Sequence, residues 1–504
     1  MMVAETSFSP TALERYPSQV TSPLALFHSV VGEAARSVPA YRAFLRQHAP
    51  ALDPGSIQTL DDFRTLPLTT KENYHRAFPL SDLCRGGRLP AAHHLAVSSG
   101  STGEPCIWPR RLGDEEGTTR RFEQVLVGTF GASQKATLGV VCFALGNWVG
   151  GMYTTAACRR LADPGRGGRG LPLTLATPGN NIAEILRVVR AVGASFEQVV
   201  LFGYPPFLRD VLEAGTAAGI AWGRLRTKLV GAGEVFDEGW RSRVCEQLGA
   251  ADPALSVASL YGTADGGVLA NETAPSVRIR RALATRPELV QALFGQSRLP
   301  TLCQFDPEHR YLEAVDGRIV ISADGLLPLL RYDILDQGGV ISAQQMAAFL
   351  RQHGLAALAA ELDGPDRLLP TAAEPFVYVF GRSGFALSLY GANVYPENIA
   401  PALHRPEFAG QVTGKFVMEL VDDGGAPRLS VTIELARGGA TASPVATPAL
   451  ASQLGDAIEA ELVALNSEYT NYVPAARRAP VVVLRDFGDP RDFPPGAKHR
   501  YTRN

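Results

Sequence analysis

A chain of 504 residues, 46% hydrophobic and 19% charged, has the composition of an ordinary globular protein and is long enough for two or more packed units. Its 48 basic residues stand against 50 acidic ones, a formal net charge of −2, which excludes the strongly basic surface that nucleic-acid binding requires. No stretch offers the roughly 18 consecutive apolar residues that span a bilayer, and no cationic segment followed by an apolar run opens the sequence. The expectation is a cytoplasmic protein that acts on small molecules, with neither a nucleic acid nor a membrane as partner. The six cysteines, Cys84, Cys106, Cys142, Cys158, Cys245 and Cys303, lack the close pairs of a zinc site or a disulfide framework and are expected to be reduced and mostly buried.

In chain order, the first segment that carries chemistry is Ser98-Ser99-Gly100-Ser101-Thr102-Gly103-Glu104-Pro105, directly after the apolar Leu95-Ala96-Val97. Glycines let successive backbone N–H groups turn inward on an anion, and the hydroxyls add donors to phosphate oxygens. The same composition also suits a plain flexible turn, and the Gly-Lys-Ser/Thr ending of a Walker loop is missing. Further on, Asn180 is placed to cap a helix whose apolar positions Ile182, Ile185, Leu186, Val189 and Val192 follow helical spacing, and residues 199–202 read as a short buried strand stopped by Gly203. Residues 207–218 make a second helix.

Then come a strand at 228–230, a helix at 238–248 and a strand at 256–261, the alternation that builds a parallel sheet flanked by helices. In such sheets ligands sit beyond the carboxyl ends of the strands. The turns Gly203-Tyr204-Pro205-Pro206, Gly231-Ala232-Gly233-Glu234 and Tyr261-Gly262-Thr263-Ala264-Asp265 therefore all point at one crevice. Residues 342–362 form an alanine-rich helical stretch. After Gly381-Arg382 the texture changes to strand-like runs at 412–420 and 429–435, with a Gly/Ala/Ser/Thr/Pro-rich surface segment at 438–448. The expected architecture is α/β: a large N-terminal domain over residues 1–380 with parallel or mixed sheets flanked by helices, a hinge at 381–384, and a small α+β C-terminal domain over 385–504.

The serine- and glycine-dense loop resembles the phosphate-binding signature of the acyl-adenylate-forming superfamily, and of its phenylacetate–CoA ligase-like branch in particular. The resemblance continues in order along the chain. Ser37-Val38-Pro39-Ala40-Tyr41-Arg42 and Leu66-Pro67-Leu68-Thr69-Thr70-Lys71 are similar to that branch's N-terminal stretches, and Gly231-Ala232-Gly233-Glu234 to its adenine-side loop. Tyr261-Gly262-Thr263-Ala264-Asp265 resembles a Tyr-Gly-x-Thr-Glu motif, and the run from Pro328 to Asp336 an Arg-Tyr-x-x-x-Asp strand. Gly381-Arg382 and the turn Tyr390-Gly391-Ala392-Asn393 resemble the interdomain hinge region, and Pro495-Gly496-Ala497-Lys498-His499-Arg500 the terminal lysine motif.

The resemblance implies ATP- and Mg2+-dependent activation of a small carboxylic acid as its acyl-AMP, with a small domain that turns about the hinge. ATP or AMP would be held by Ser98, Ser99, Gly100, Ser101, Thr102 and Gly103, by Gly233 and Glu234, by Tyr261 on the adenine with Gly262 and Thr263, by Asp336 on the ribose hydroxyls, and by Arg382. Asp265 and the Thr102 hydroxyl would share magnesium, a hard oxygen-ligand site, and Lys498 would be the catalytic cation. The acid pocket would draw on Trp148, Tyr153, Phe202, Tyr204 and Tyr261, whose rings can sandwich an apolar acid. CoA is the expected acceptor, with an amine or a carrier-protein thiol as the alternative.

Four positions depart from the branch's pattern. Glu104 replaces a phosphate-seeking lysine, Asp265 is one methylene shorter than glutamate, Gly384 stands where the hinge usually has Asp, and Lys498 follows Gly-Ala rather than glycine directly. A further reading is therefore a scaffold that binds nucleotide without turnover. The identity of the acid and the oligomeric state are left open by the sequence.

Overall fold

The computed structural model describes residues 24–97, 106–146, 149–165, 168–363, 374–382, 387–390, 392–423, 427–437, 444–466, 469–470, 473–494, 499 and 501–503. The chain forms two compact units. One comprises Met1–Val235, Cys245–Arg280 and Pro300–Gly381, the other Phe236–Val244, Arg281–Leu299 and Arg382–Asn504.

His94–Val97 (β1) and Ile107–Arg110 (β2) pair as a two-stranded antiparallel sheet on either side of residues 98–105, which lie outside the described residues. The first unit is otherwise organised by one mixed sheet. Its parallel half contains Thr137–Val141 (β3), Leu173–Ala176 (β4), Gln198–Gly203 (β5), Lys228–Ala232 (β6) and Val257–Thr263 (β7), in spatial order β4-β3-β5-β6-β7. The sheet continues through Gly267–Asn271 (β8), which returns antiparallel to β7, and its remaining strands are Thr301–Gln304 (β9), Tyr311–Val315 (β10), Arg318–Ala323 (β11), Leu329–Ile341 (β12) and Phe376–Arg382 (β13), in spatial order β8-β9-β13-β12-β11-β10. Every residue of β3 and β5 is buried. This explains why those segments read as continuous apolar runs: helices cover both faces of a parallel sheet, so there is no solvent side to alternate with.

The register pairs Gly203 with Gly231 and Ala232 with Leu260. The carboxyl ends of β5, β6 and β7 thus lie side by side, as the three turns in the sequence suggest. Helix Ile182–Val192 follows the expected periodicity, with Ile185, Leu186 and Val189 buried. Its cap is Asn181 rather than Asn180. Asn181 is the residue left extended (φ −110°, ψ 104°), and its side chain accepts the Glu184 N–H at 3.2 Å, as capping requires. Val192 is 40% exposed. The alanine-rich stretch divides into two helices, Ala343–Gln352 and Ala356–Asp363. All six cysteines are buried and free of disulfides, and burial pushes the Cys84 thiol up to about 11.

The second unit carries a three-stranded sheet of Val412–Asp422 (antiparallel), Pro427–Leu435 and Val481–Arg485 (parallel), with Pro396–Leu403 and Pro448–Leu465 as its main helices. Residues 438–443 of the polar segment lie outside the described residues. Among the described residues, no helix is long and apolar enough to cross a membrane.

An N-terminal segment is fastened to β12 across a long loop. Thr69 N–H donates to the Arg331 carbonyl at 3.0 Å, Asp333 N–H to the Thr69 carbonyl at 2.9 Å, and the Thr69 hydroxyl to the Leu330 carbonyl at 3.0 Å. Arg331, only 7% exposed, pairs with Glu313 at 2.7 Å and donates to the carbonyls of Leu66, at 2.6 Å, and Arg64. Removing one member of a buried, hydrogen-bonded ion pair leaves the other charge uncompensated. Arg331→Met is expected to lower the unfolding free energy by about 3 kcal/mol, read as a fall in denaturant midpoint at unchanged slope; a change below about 1 kcal/mol would mean the pair contributes no more than a surface bridge.

Candidate functional site

The site is built from the turn that ends β7. Gly262 is confined by its neighbour strand, since a Cβ there would lie 2.7 Å from the Gly267 carbonyl oxygen. Gly267 has φ +75°, the left-handed region where glycine carries no steric penalty. The Thr263 hydroxyl oxygen accepts the Gly266 N–H at 2.9 Å and tightens the turn. Two tyrosine–carboxylate hydrogen bonds then join this turn to β12. The Tyr261 hydroxyl donates to Asp336 Oδ2 at 2.7 Å, and the Tyr332 hydroxyl donates to Asp265 Oδ2 at 2.7 Å. Both carboxylates are buried, Asp265 at 4% and Asp336 at 6% exposure.

Strand β12 is shaped for this. Arg331 and Leu335 have φ of 48° and 64°, an uncommon backbone for residues that are not glycine. The Asp333 side chain supports the second kink by accepting the Leu335 N–H at 2.9 Å, and its other oxygen meets Arg318 at 2.9 Å. Asp333 is therefore occupied within its own sheet, and Asp336 is the aspartate that meets the β7 turn.

At the end of β6, Gly233 has φ +89°, and the Tyr204 hydroxyl donates to the Glu234 carboxylate. Tyr204 is the half-buried residue that leads into helix Pro205–Ala217. Phe202 is placed in the core: it is 0% exposed, with its ring 6.1 Å from that of Phe122. Tyr153, on helix Val149–Ala162, is 5% exposed, and its oxygen accepts from Arg110 Nε at 3.4 Å.

Arg110, at the end of β2, also donates to the carbonyls of Ala264, at 3.3 Å, and Asp265. Arg310 donates to the Gly266 carbonyl at 3.3 Å. Nothing in the run Pro109-Arg110-Arg111 distinguishes one arginine from a solvated surface residue, so neither Arg110 nor Arg310 was legible as part of the site. His75 packs its ring 4.0 Å from Trp108 and shares a 3.0 Å hydrogen bond with the Ile107 carbonyl. Burial lowers its proton affinity, which favours the neutral imidazole donating that bond.

The donor set suits a hard cation. Among the described residues, no three His, Cys, Asp or Glu side chains converge as metal ligands. Magnesium commonly takes only one or two carboxylates and completes its octahedron with phosphate and water. Asp265 would supply one such carboxylate, its Oδ2 oriented by the Tyr332 hydroxyl.

Ser98, Ser99, Gly100, Ser101, Thr102, Gly103 and Glu104 lie outside the described residues, as do Trp148, Gly384 and Lys498. The Arg382 backbone ends β13, and its side chain is outside the description. The chain on both sides of residues 495–498 is well anchored within the second unit. Phe493 N–H donates to the Asp489 carbonyl at 2.8 Å. His499 meets the Phe416 carbonyl at 2.6 Å, Met418 N–H donates to the Tyr501 carbonyl at 2.7 Å, and Arg503 binds Glu419 at 3.0 Å and also Asp492.

Burial pushes His499 down to about 4 from its ordinary 6.5, so the folded state favours the neutral ring that donates to Phe416. A depressed histidine value contributes stability that is present above the unfolded value and lost as pH falls toward the folded one. Wild type should therefore lose more thermal stability between pH 6.5 and 4 than His499→Gln does. Equal losses in the two proteins would show that His499 titrates as an ordinary surface ring.

No protein-family model matches the chain, and no curated protein is significantly similar to it in sequence. Solved structures do match. A 2-hydroxyisobutyryl-CoA ligase in the postadenylation state, in complex with R3-HIB-AMP, superposes with a TM-score of 0.66 at 15% identity, covering 96% of this chain and 88% of the ligase. An open conformation of a 2-hydroxyisobutyryl-CoA ligase with 2-HIB-AMP and CoA gives 0.53 at 15% identity, over 96% and 90%. The acyl acid amido synthetase AtGH3.15 in complex with 2,4-DB gives 0.54 at 12% identity, over 97% and 91%. The chain has the α/β fold of the acyl-adenylate-forming ligases.

Proposed function

We propose that this chain uses ATP and Mg2+ to convert a small carboxylic acid, aromatic or otherwise compact, to its acyl-AMP with release of pyrophosphate, and then transfers the acyl group, with CoA as the acceptor. The observation that carries the reading is the hydrogen bond between Tyr261 and Asp336 at the carboxyl end of β7, in a chain with the fold of adenylate-forming ligases. It joins an aromatic ring suited to adenine and a carboxylate suited to two ribose hydroxyls, from positions 75 residues apart in sequence.

In the first half-reaction a carboxylate oxygen of the acid bonds to the α-phosphorus of ATP, and the bond from that phosphorus to the bridging β-phosphate oxygen breaks. The protein must bring two anions together and offset the charge that builds up in transfer. Gly233 and Glu234 border the adenine, with Gly262 and Thr263 beneath it. The hydroxyl and glycine loop Ser98 to Gly103 offers neutral donors to the phosphates. Magnesium, when bound by Asp265 with Thr102, would supply positive charge at the phosphate oxygens. Tyr153, Tyr204 and Tyr261, with Trp148, border the acid; Phe202 acts behind them as packing. Residues 1–380 hold the substrates, and residues 385–504 carry Lys498, with 381–384 and Arg382 at the hinge. In the second half-reaction the acceptor attacks the acyl carbon and AMP leaves.

An amine acceptor is the second reading, favoured by the likeness to an acyl acid amido synthetase. A carrier-protein thiol would use the same chemistry as CoA.

Acid-dependent pyrophosphate release from ATP, measured over a panel of carboxylic acids, tests adenylation; its absence with every acid would leave a nucleotide-binding scaffold. Product formation that needs CoA supports the thioester route, and product formation with an amine but not CoA overturns it. Asp336→Ala should weaken ATP binding by on the order of tenfold or more, because hydrogen bonds to a charged group contribute roughly 1.5–3 kcal/mol each. Unchanged affinity by calorimetry would remove Asp336 from the ribose. Lys498→Ala should cut pyrophosphate release by on the order of a hundredfold, the scale of losing one well-placed electrostatic donor, with little change in ATP affinity. If Arg500→Ala is the damaging change instead, the terminal motif is in another register.

A further inference from the structure

Arg110 and Arg310 converge on one turn. Arg110 reaches the carbonyls of Ala264 and Asp265, and Arg310 that of Gly266, so two guanidiniums are held by three consecutive peptide oxygens. Arg310 also donates to the carbonyls of His309, at 2.9 Å, and Asp114, at 3.3 Å. Every one of these acceptors is neutral. Arg110 is 7% exposed and Arg310 is partly buried, yet among the described residues neither is ion-paired to a carboxylate.

Carboxylates are close by, but they are engaged elsewhere. Asp114 takes Arg111 at 3.3 Å and the N–H groups of Arg111 and Leu326 at 2.9 and 3.0 Å. Asp324 takes Arg85 at 2.5 Å. Asp265 takes the Tyr332 hydroxyl. Burial, with the Arg110 guanidinium beside it, pushes Arg310 down to about 10. Two like charges in a poorly solvated position, hydrogen-bonded only to neutral oxygens and offset at longer range by Asp114 and Asp324, gain from the arrival of an anion.

Between them lies a cavity of about 10 Å3, bordered by Arg110, Asp114, Asp265, Gly266, Arg310 and Asp324. That is room for about one water-sized atom. It suits one oxygen of a larger anion whose remainder stays at the mouth.

We propose that Arg110 and Arg310 bind the diphosphate portion of the nucleotide: the β- and γ-phosphates of bound ATP, and the diphosphate anion once it has been displaced. Planar guanidinium forks match phosphoryl oxygens and stay charged at any working pH. Asp265, the candidate magnesium ligand, is in the same turn, so a magnesium diphosphate would meet its metal ligand and both cations together. The pair also answers the sequence change at Glu104, which leaves the segment Ser98 to Pro105 without a lysine. The source of the diphosphate rests on the adenylation reading; the binding chemistry does not.

The test is calorimetric titration of the full chain with magnesium diphosphate, ATP and AMP. Wild type should bind all three. Arg310→Gln should weaken diphosphate and ATP by on the order of tenfold or more, as for loss of a charge-assisted hydrogen bond, and leave AMP, which lacks the β- and γ-phosphates, unchanged. Arg310→Lys should retain an intermediate affinity, and Arg110→Gln should behave as Arg310→Gln. Should Arg110→Gln fail to fold, the two Arg310 variants decide the matter. Diphosphate affinity unchanged in a folded Arg310→Gln protein overturns the proposal. So does an equal loss for AMP, or a loss seen only in the KM for the acid, which would make the arginines a carboxylate site. A chain that binds diphosphate through these arginines but never releases it from ATP upholds this inference while the adenylation reading falls. A chain that adenylates normally with Arg310→Gln does the reverse.

Discussion

The two hydrogen bonds between the β7 turn and β12, Tyr261 to Asp336 and Tyr332 to Asp265, are the constraint on which the rest of the site depends. Each buries a carboxylate against a hydroxyl, and a buried carboxylate without such a donor carries a large desolvation penalty. The exchange is crossed: each segment gives one tyrosine and receives one from the other. The turn therefore cannot drift relative to the strand without breaking both bonds, and the carbonyls of residues 264–266 are fixed as acceptors for the two arginines. Glycines at 262 and 267 let the backbone make this approach, and the kinks at Arg331 and Leu335 bring the strand up to meet it.

How much of this could be read from the chain depends on how local each feature is. The helix and strand alternation from 182 to 263 was legible because it is written in contiguous periodic runs, and the structure reproduces it with shifts of a few residues. The cap at Asn181 rather than Asn180 is such a shift: two adjacent asparagines offer the same side chain, and only the backbone angles choose between them. Tyr261 and Asp336 were legible as parts of short motifs, though their direct bond was not. Arg110 and Arg310 were not legible at all, because the acceptors that place them at the turn are main-chain oxygens, which have no sequence signature and lie as far as 155 positions away for Arg110. Phe202 shows the opposite limit. An aromatic residue next to a site turn reads as a pocket wall, but on a strand covered on both sides the ring has gone into the core.

The electrostatic character of the site follows from the same arrangement. It gathers acidic and basic groups around one turn, yet each acid has its own partner and the two guanidiniums have only neutral oxygens, carbonyls and the Tyr153 hydroxyl. Dipoles of fixed orientation hold a cation in place with less compensation than a carboxylate would give, which leaves its charge available to a ligand. Preorganised positive charge of this kind needs no rearrangement when a phosphate arrives. The segment Ser98 to Pro105 has no lysine, and the arginine pair would supply positive charge to a phosphate at this turn.

The attachment of Thr69 to β12 has a consequence for synthesis. The Arg331 contacts with Arg64 and Leu66 span 265 to 267 positions, so residues 60–75 cannot complete their packing until β12 has been translated. At roughly 5–20 residues per second, Phe63, whose ring packs on Tyr311, and Leu66, whose carbonyl takes Arg331, each no more than 1% exposed in the folded chain, would wait on the order of ten to fifty seconds for these partners. A nascent chain of this kind emerges with its first apolar cluster uncovered, and chaperone demand on the ribosome should be set by the distance to residue 341 and not by the stability of the finished protein.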